Sequence, residues 1–182
     1  MTPTQSLMTE HRLIERILAV LEALGHQSLH DHTIDRGRAL DVLLFLKEFA
    51  DRCHHGKEEK HLFPMLAEHG FGPEMGPVAV MLGEHELGRV FLREMTAAVE
   101  AADRPDSSDR FARAAAGYVS LLTAHIQKED QILFPMADRV FSPEDQATVA
   151  GGFERVELEE MGPGAHEKFH ALAERLLARV TL

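Results

Sequence analysis

The chain has 182 residues, 45% of them hydrophobic and 27% charged, which is the composition of one folded domain rather than of a disordered segment. Nineteen basic and thirty acidic side chains give a formal net charge of −11, so the surface repels nucleic acid and anionic lipid. No apolar run is long enough to cross a membrane, and the first residues lack the pattern of an export signal. We therefore expect a cytoplasmic protein with neither nucleic acid nor a membrane as a partner.

Apolar residues recur at helical spacing in four long segments that glycine, proline and polar stretches separate. The predicted helices cover 7–24, 40 to about 70, 78–102 and 109 to about 140. Gly25 is expected to end the first helix, and the polar stretch 26–37 is expected to be a loop. Pro64 lies inside the second helix, where its ring and missing N–H should bend the helix or start a fresh turn.

Two shorter helices are predicted after residue 140. Ser142 followed by Pro143 is typical of a helix start, and a Gly-Pro-Gly break at 162–164 separates that helix from a final amphipathic run. No segment shows the sustained alternation of a strand, so the fold class is all-α. We predict an up-down-up-down four-helix bundle in residues 1–140 and an extension of two helices packed on it in residues 141–182.

A chemical repeat is the strongest signal in the sequence. The pattern His54, Glu58, Glu59, Phe63, Pro64 recurs 71 residues later as His125, Glu129, Asp130, Phe134, Pro135. A weaker repeat, displaced by 74 residues, relates Glu10 and His11 on the first helix to Glu84 and His85 on the third. The chain therefore contains two helix pairs of similar design, each with one His on its first helix and a His plus a Glu on its second.

The repeated spacing predicts a metal site. Residues four apart share one face of a helix, so the His and the Glu of each copy can direct donor atoms to the same point. Inward side chains from four neighbouring helices can meet at the centre of a bundle. Four imidazoles and two carboxylates exceed the need of one tetrahedral ion and suit two bridged ions. The predicted metal ligands are His11, His54, Glu58, His85, His125 and Glu129.

The alternative is that these are polar pairs on solvated faces, which is the common state of a His with a Glu four residues on. We retain that interpretation for the loop and helix-end histidines His26, His30, His32 and His69. The repeated acids differ, because apolar residues such as Leu62 and Leu133 adjoin them. Burying uncompensated carboxylates would cost several kcal/mol per charge, which a purely structural bundle has no reason to bear.

The motif set resembles the hemerythrin-like, HHE cation-binding family of non-haem di-iron bundles, over residues 7 to about 140. The resemblance rests on Glu10-His11-Arg12, on His54-His55 with Glu58-Glu59, on Glu84-His85-Glu86 with Gly88-Arg89, and on His125 with Glu129-Asp130. It implies two iron ions bridged by Glu58, Glu129 and an oxo or hydroxo group, with the four histidines of the predicted set as terminal ligands. Ferritin-like bundles match less well, since they place His three residues after Glu.

One position departs from the family pattern. The oxygen carriers of the family have a fifth His one turn beyond the third-helix ligand, where this chain has Arg89. Arginine cannot bind a metal, and if it faces inward it needs an acid, for which Glu15 is the symmetric candidate. The missing imidazole leaves one metal with an open position, or another side chain takes its place. The candidates are His55, Glu59 and His61, and we expect His61 to point inward and to support the ligands rather than bind.

The remaining chemistry-bearing residues are assigned weaker roles. The last helix carries His166 and His170, and we expect this helix to cover one opening of the bundle rather than to form a second metal site. Its two imidazoles would there relay protons or touch the main site. The single cysteine, Cys53, excludes an internal disulfide and is expected to be a small core or surface residue.

The resemblance implies a function in binding dioxygen, or a related small ligand such as nitric oxide or peroxide, for sensing, storage or stress defence. Two alternatives stay open. One is an enzyme that uses the same centre to degrade peroxide, to handle nitric oxide or to repair iron clusters. The other is a helical scaffold or interaction module without a catalytic metal.

Overall fold

The computed structural model describes residues 1–178, apart from the side chains of Glu160 and His166. Nearly all of this part of the chain is helical, and it contains no strand, which confirms the prediction of an all-α fold. Within the same residues, no helix has the length and apolar character required to cross a bilayer.

The helical segments follow one another in this order. The α-helices are α1 (Pro3–Asp31), α2 (Arg36–Phe45), α3 (Phe63–Glu68), α4 (Pro77–Glu100), α5 (Ser107–Lys128), α6 (Phe134–Val140), α7 (Pro143–Arg155) and α8 (Ala165–Ala178). Four π-helical segments are π1 (Leu46–His55), π2 (Glu58–Leu62), π3 (Glu129–Leu133) and π4 (Val156–Met161). Helix is continuous from 36 to 68, from 107 to 140 and from 143 to 161. We call the first two of these the second and fourth long helices, with α1 and α4 as the first and third.

The first long helix does not end where the sequence predicted. It continues through Gly25 to Asp31, so the predicted loop is wrong over its first half. Gly25 is buried where α1 crosses α5, and a Cβ there would lie 3.4 Å from the Cβ of Ala115. The glycine therefore permits close helix packing instead of ending the helix. His32, with φ of 52°, ends it in the left-handed conformation.

Each proline of the repeat follows a π-helical turn. The N–H of Phe63 donates to the carbonyl of Glu58, and the N–H of Phe134 donates to the carbonyl of Glu129, five residues back in both cases. Proline has no N–H, and its ring crowds the carbonyl four residues earlier, so a wider turn accommodates it and an α-helix restarts. The fresh turn predicted at Pro64 is present.

The buried apolar side chains form two clusters with a polar layer between them. The first cluster includes Leu13, Phe49, Leu92 and Ile126, and the second includes Leu7, Leu62, Met81 and Leu133. On α1, Glu10 and His11 lie between residues of the two clusters, and the other long helices repeat this arrangement. The first and third long helices run from the second cluster to the first, whereas the second and fourth run the other way. The four helices therefore bring their polar residues to one level.

Residues 141–178 fold back on these helices. Ser142 caps α7, and its hydroxyl accepts a hydrogen bond from the N–H of Asp145, as the predicted helix start requires. Segments α7 and π4 contact α1, π1 and π2, while α8 contacts α1 and α2. The approach of α7 is close, because a Cβ at Gly152 would lie 2.4 Å from the His61 ring.

Candidate metal centre

All six predicted ligands meet in the polar layer between the two apolar clusters, and each has at most 1% of its surface exposed. Their potential donor atoms form two groups, with all atoms of a group within 4.8 Å of one another. The first group is His11, His54, Glu58 and Glu129, and the second is His55, Glu58, His85 and His125. The four long helices thus supply all the donors, and the C-terminal segments supply none of these groups.

Both carboxylates reach the two groups at once. Glu58 places Oε1 3.6 Å from Nε2 of His54 and Oε2 3.3 Å from Nε2 of His85. Oε2 of Glu129 lies 3.2 Å from Nε2 of His11 and 3.3 Å from Nε2 of His125. Each carboxylate therefore lies within reach of donors in both groups.

The fifth imidazole is His55, which the sequence left as one of several candidates. Its ring stacks on His85 with centroids 3.8 Å apart, and it is buried with the other donors. Adjacent residues of an α-helix point about 100° apart, so His54 and His55 would not ordinarily share a face. They end π1, where the wider winding brings neighbours closer in angle. The adjacent histidines His54 and His55 were visible in the sequence, but only the π-helical geometry shows that both can face the centre.

Arg89, which stands where the oxygen carriers have their fifth His, does not pair with the predicted acid. Its guanidinium donates to Asp51 at 2.9 Å, to Glu59 at 2.7 Å and to Glu86 at 2.6 Å. Glu15 instead pairs with Arg12 on its own helix, so the predicted partner was wrong. The reason is that Asp51 and Glu59 lie on the second long helix, which packs directly beside α4.

Every imidazole is fixed by a carboxylate on its outer nitrogen. The Nδ1 contacts are His11 to Asp130 at 2.7 Å, His54 to Glu10 at 2.8 Å, His55 to Asp51 at 3.3 Å, His85 to Glu59 at 2.7 Å and His125 to Glu84 at 2.9 Å. A carboxylate cannot donate, so each Nδ1 carries a proton and each Nε2 faces the centre, where it can bind a metal once it carries no proton. This is the arrangement of histidines that bind metals.

Cations hold those outer carboxylates in turn. Lys57 pairs with Glu10, Lys128 with Glu84, Arg12 with Asp130, and Arg89 with Asp51 and Glu59. The sequence patterns included four of these acids in the repeats, namely Glu10, Glu59, Glu84 and Asp130, and gave a possible role to Glu59 alone. They did not single out Asp51 or either lysine. The signal was present, because the two lysines are themselves displaced by 71 residues, each three residues after a ligand histidine.

The centre requires positive charge that its own donors do not provide. All four carboxylate oxygens of Glu58 and Glu129 are buried without a hydrogen-bond partner. Nε2 of His11 lies 3.0 Å from Nε2 of His54, and His85 and His125 face each other in the same way at 3.2 Å. Two lone pairs at this distance, beside bare carboxylates, repel unless a proton or a metal ion lies between them. The donor set therefore fits metal ions.

Protons take the place of that charge in the metal-free protein. Burial lowers the pKa of His11, but a hydrogen bond to Asp130 and the negative charges of Glu129 and Glu58 outweigh it and raise the pKa to about 10. For His85, burial is likewise outweighed by Glu58 and Glu59, and its pKa rises to about 9. Burial raises the pKa of Glu129, yet the nearby histidines His125 and His11 hold it at about 2. His55 differs, since burial and the positive charge of His85 lower its pKa.

Metal binding at pH 7 is therefore expected to release about two protons, one each from His11 and His85, because a metal must displace them. Apparent metal affinity should rise with pH and level off above pH 10. For the metal-free fold the sign is opposite: raised pKa values stabilise it fully below about pH 6.5, and that stability is lost as the pH passes 9 and 10. Calorimetry in two buffers of different protonation enthalpy counts the protons, and a release near zero at pH 7 would contradict the assignment.

Apolar residues cover the centre on the side of the second cluster. Phe134 stacks on His11 with centroids 5.4 Å apart, and Phe63 stacks on His85 at 5.8 Å. Leu62 and Leu133 are fully buried beside them, as their place next to the repeated acids predicted. Ile132 is an exception, because it is 57% exposed and does not contribute to this cover.

The other candidate side chains lie outside the two donor groups. Glu59 binds His85 from behind, and His61 lies against Gly152 of α7, so the supporting role expected for His61 stays a prediction. His170 is exposed on α8 and makes an edge contact with Phe49. Cys53 is buried, as one of its two expected states. The side chain of His166 lies outside the described residues, so its predicted role stays a prediction.

Comparison with known proteins agrees with this arrangement. The chain is 28% identical over 165 residues to uncharacterized proteins of Mycobacterium bovis (Mb2018) and Mycobacterium tuberculosis (MT2051 and Rv1995). The alignment covers 88% of this chain but 63% of theirs, so the chain spans less than two thirds of the length of these relatives. No solved structure matches. The profile of the hemerythrin HHE cation-binding domain matches residues 2–137, which contain every donor of the two groups, and the chain belongs to that family.

Proposed function

We propose that the protein is a non-haem di-iron protein that binds dioxygen or a related small ligand, nitric oxide or peroxide, in sensing, storage or stress defence. The observation that carries the proposal is the pair of buried donor groups that share Glu58 and are joined again by Glu129. Cation binding follows from the family, whereas the two-ion count rests on these shared carboxylates.

The two ions would have unequal surroundings. One group offers three imidazoles, from His55, His85 and His125, and the other offers two, from His11 and His54. With both carboxylates shared, the second ion has fewer protein ligands and keeps room for an exogenous one. Imidazole ligands suit iron, and the choice of iron over other metals that imidazole binds depends on metal supply as well as on the ligands. Two ferrous ions would supply two electrons and an open position for a small molecule.

The protein limits what can reach the centre. The seven donors have at most 3% of their surface exposed, and the stacked phenylalanines Phe63 and Phe134 close the side of the second cluster. An organic substrate could not reach the donors without separating the helices, whereas a diatomic molecule or peroxide is small enough to enter through side-chain fluctuations. Burial therefore supports a small ligand, and the apolar cover would slow its exchange with water.

The domain organisation forms part of the same proposal. The alternating direction of the long helices between the two apolar clusters supports the up-down-up-down bundle in residues 1–140. Residues 141–182 would form the extension that packs on the bundle. The proposal also places the protein in the cytoplasm.

The test is to load the protein with ferrous iron without oxygen and to mix it with dioxygen, nitric oxide and hydrogen peroxide in a stopped-flow spectrometer. We expect two irons per chain and a new, lasting absorption band with at least one of the three. Rapid consumption of peroxide or nitric oxide over many turnovers would instead show that the protein is an enzyme. If the protein binds no iron and its melting temperature does not change when iron is added, both the binding and the enzymatic functions are wrong and the helical scaffold is favoured.

A further inference from the structure

The two halves of the centre are built alike, but their lysines differ. Lys57 and Lys128 each follow a ligand histidine by three residues, and each binds the acid that holds that histidine. Lys128 remains 36% exposed and, among the described residues, pairs only with Glu84, whereas Lys57 is fully buried. Burying an ammonium group is costly unless it is paired on more than one side.

The C-terminal segment supplies what Lys57 needs. Glu157 of π4 places Oε1 2.5 Å from Nζ of Lys57, and the ring of Phe153, one turn earlier, lies 5.8 Å from the same nitrogen. Val156, between them in the sequence, is buried and lies near Gly56, so the segment is packed against the second long helix at this point. All three residues lie outside the part of the chain that the family profile matches.

A continuous chain of charged contacts therefore leads from the surface to a ligand. Glu157, 40% exposed, holds Lys57; Lys57 holds Oε1 of Glu10; and Oε2 of Glu10 holds Nδ1 of His54 at 2.8 Å. In the part of the chain that the structure describes, the corresponding contacts of the opposite half run from His125 through Glu84 to Lys128 and end there. The position of His54 thus depends on the C-terminal segment in a way that the position of His125 does not.

We propose that Glu157 and Lys57 are positioning residues for the metal held by His11 and His54, so that the C-terminal segment is a working part of the centre. The proposal rests on the proposed function, since it presupposes metal in both groups. The ion pair of Glu157 with Lys57 keeps Glu10 directed at His54, and this orientation slows release of that metal. The metal in the group of His85 and His125 has no such dependence.

The test uses the full chain loaded with ferrous iron without oxygen, mixed with excess ferrozine, with metal release followed by colour. Glu157→Gln keeps the size of the side chain and removes its charge. We expect one of the two irons to leave about 3- to 10-fold faster and the other to leave at the wild-type rate. The acceleration should be modest because Glu157 does not contact a ligand itself, and loss of a residue that does typically costs about 10- to 100-fold in metal affinity.

A matched control separates this effect from general loosening of the C-terminal segment. Glu174→Gln removes another ion pair between that segment and the bundle, with Arg16 of α1, at an exposed position away from the centre. It should leave both release rates unchanged. A second control tests the path, because Lys57→Gln with Glu157→Gln should release iron no faster than Lys57→Gln alone if Glu157 acts through Lys57.

Each outcome decides the matter. Selective acceleration of one iron, absent in Glu174→Gln, supports the proposal. Unchanged release in Glu157→Gln, equal acceleration of both irons, or additive effects in the double variant would overturn it while leaving the di-iron function intact. A wild-type chain that binds fewer than two irons would overturn the proposed function, and this inference with it.

Discussion

Replacing Glu58 by alanine is expected to leave the purified protein with less than about half a metal ion per chain. Glu58 belongs to both donor groups, so its loss removes a ligand from each ion together with one negative charge that balances them. The fold should survive, because the two apolar clusters that join the long helices do not include Glu58, although the protonated His85 loses a carboxylate that balances it. Plasma emission spectroscopy measures the metal content, and far-ultraviolet circular dichroism measures whether the helical fold is retained.

Two neighbouring variants serve as controls for Glu58→Ala. Glu59→Gln changes the adjacent acid, which binds His85 from behind, and should keep two ions with about 10- to 100-fold weaker affinity. His55→Ala removes an imidazole from one group only and should leave one ion tightly bound. If Glu58→Ala retained two ions with an unchanged spectrum, the assignment of this carboxylate as a shared ligand would be wrong.

Loading the wild-type protein with metal is expected to raise its melting temperature by about 8 to 16 °C for each site. A ligand that binds only the folded state, at 1,000 times its Kd, adds about 4 kcal/mol to the free energy of unfolding. For a chain of this length, each kcal/mol shifts the melting temperature by about 2 to 4 °C. The shift should be large because the centre joins four long helices, and differential scanning calorimetry of metal-free and loaded samples measures it.

The same measurement on Glu58→Ala provides the control, since it should show little shift on adding the metal. The metal-free variant should melt below the metal-free wild type, because His85 loses the carboxylate that balances its proton. A wild-type melting temperature that does not respond to iron, zinc or manganese would mean that the buried carboxylates are balanced by protons alone and that no metal is structurally coupled to the fold.

The helices could be predicted well where apolar spacing was regular, and less well where a residue has two possible uses. Gly25 was predicted as a helix end because glycine commonly ends helices. In the structure it lies against Ala115, where the absence of a side chain lets α1 and α5 approach closely. A glycine at a helix crossing and a glycine at a helix end look the same in sequence, because the difference lies in the partner helix.

The sequence by itself determined the all-α class and indicated the six side chains that meet in the polar layer, because a spacing of four on a helix fixes which side chains share a face whatever surrounds them. Only the tertiary structure decided the fifth imidazole, the partners of Arg89 and the burial of Lys57. His55 enters the centre because π1 winds differently from an α-helix, Arg89 meets Asp51 and Glu59 because two particular helices are neighbours, and Lys57 is buried because π4 returns from far along the chain. Contacts between segments distant in sequence leave no periodic trace, so local spacing could not reveal them.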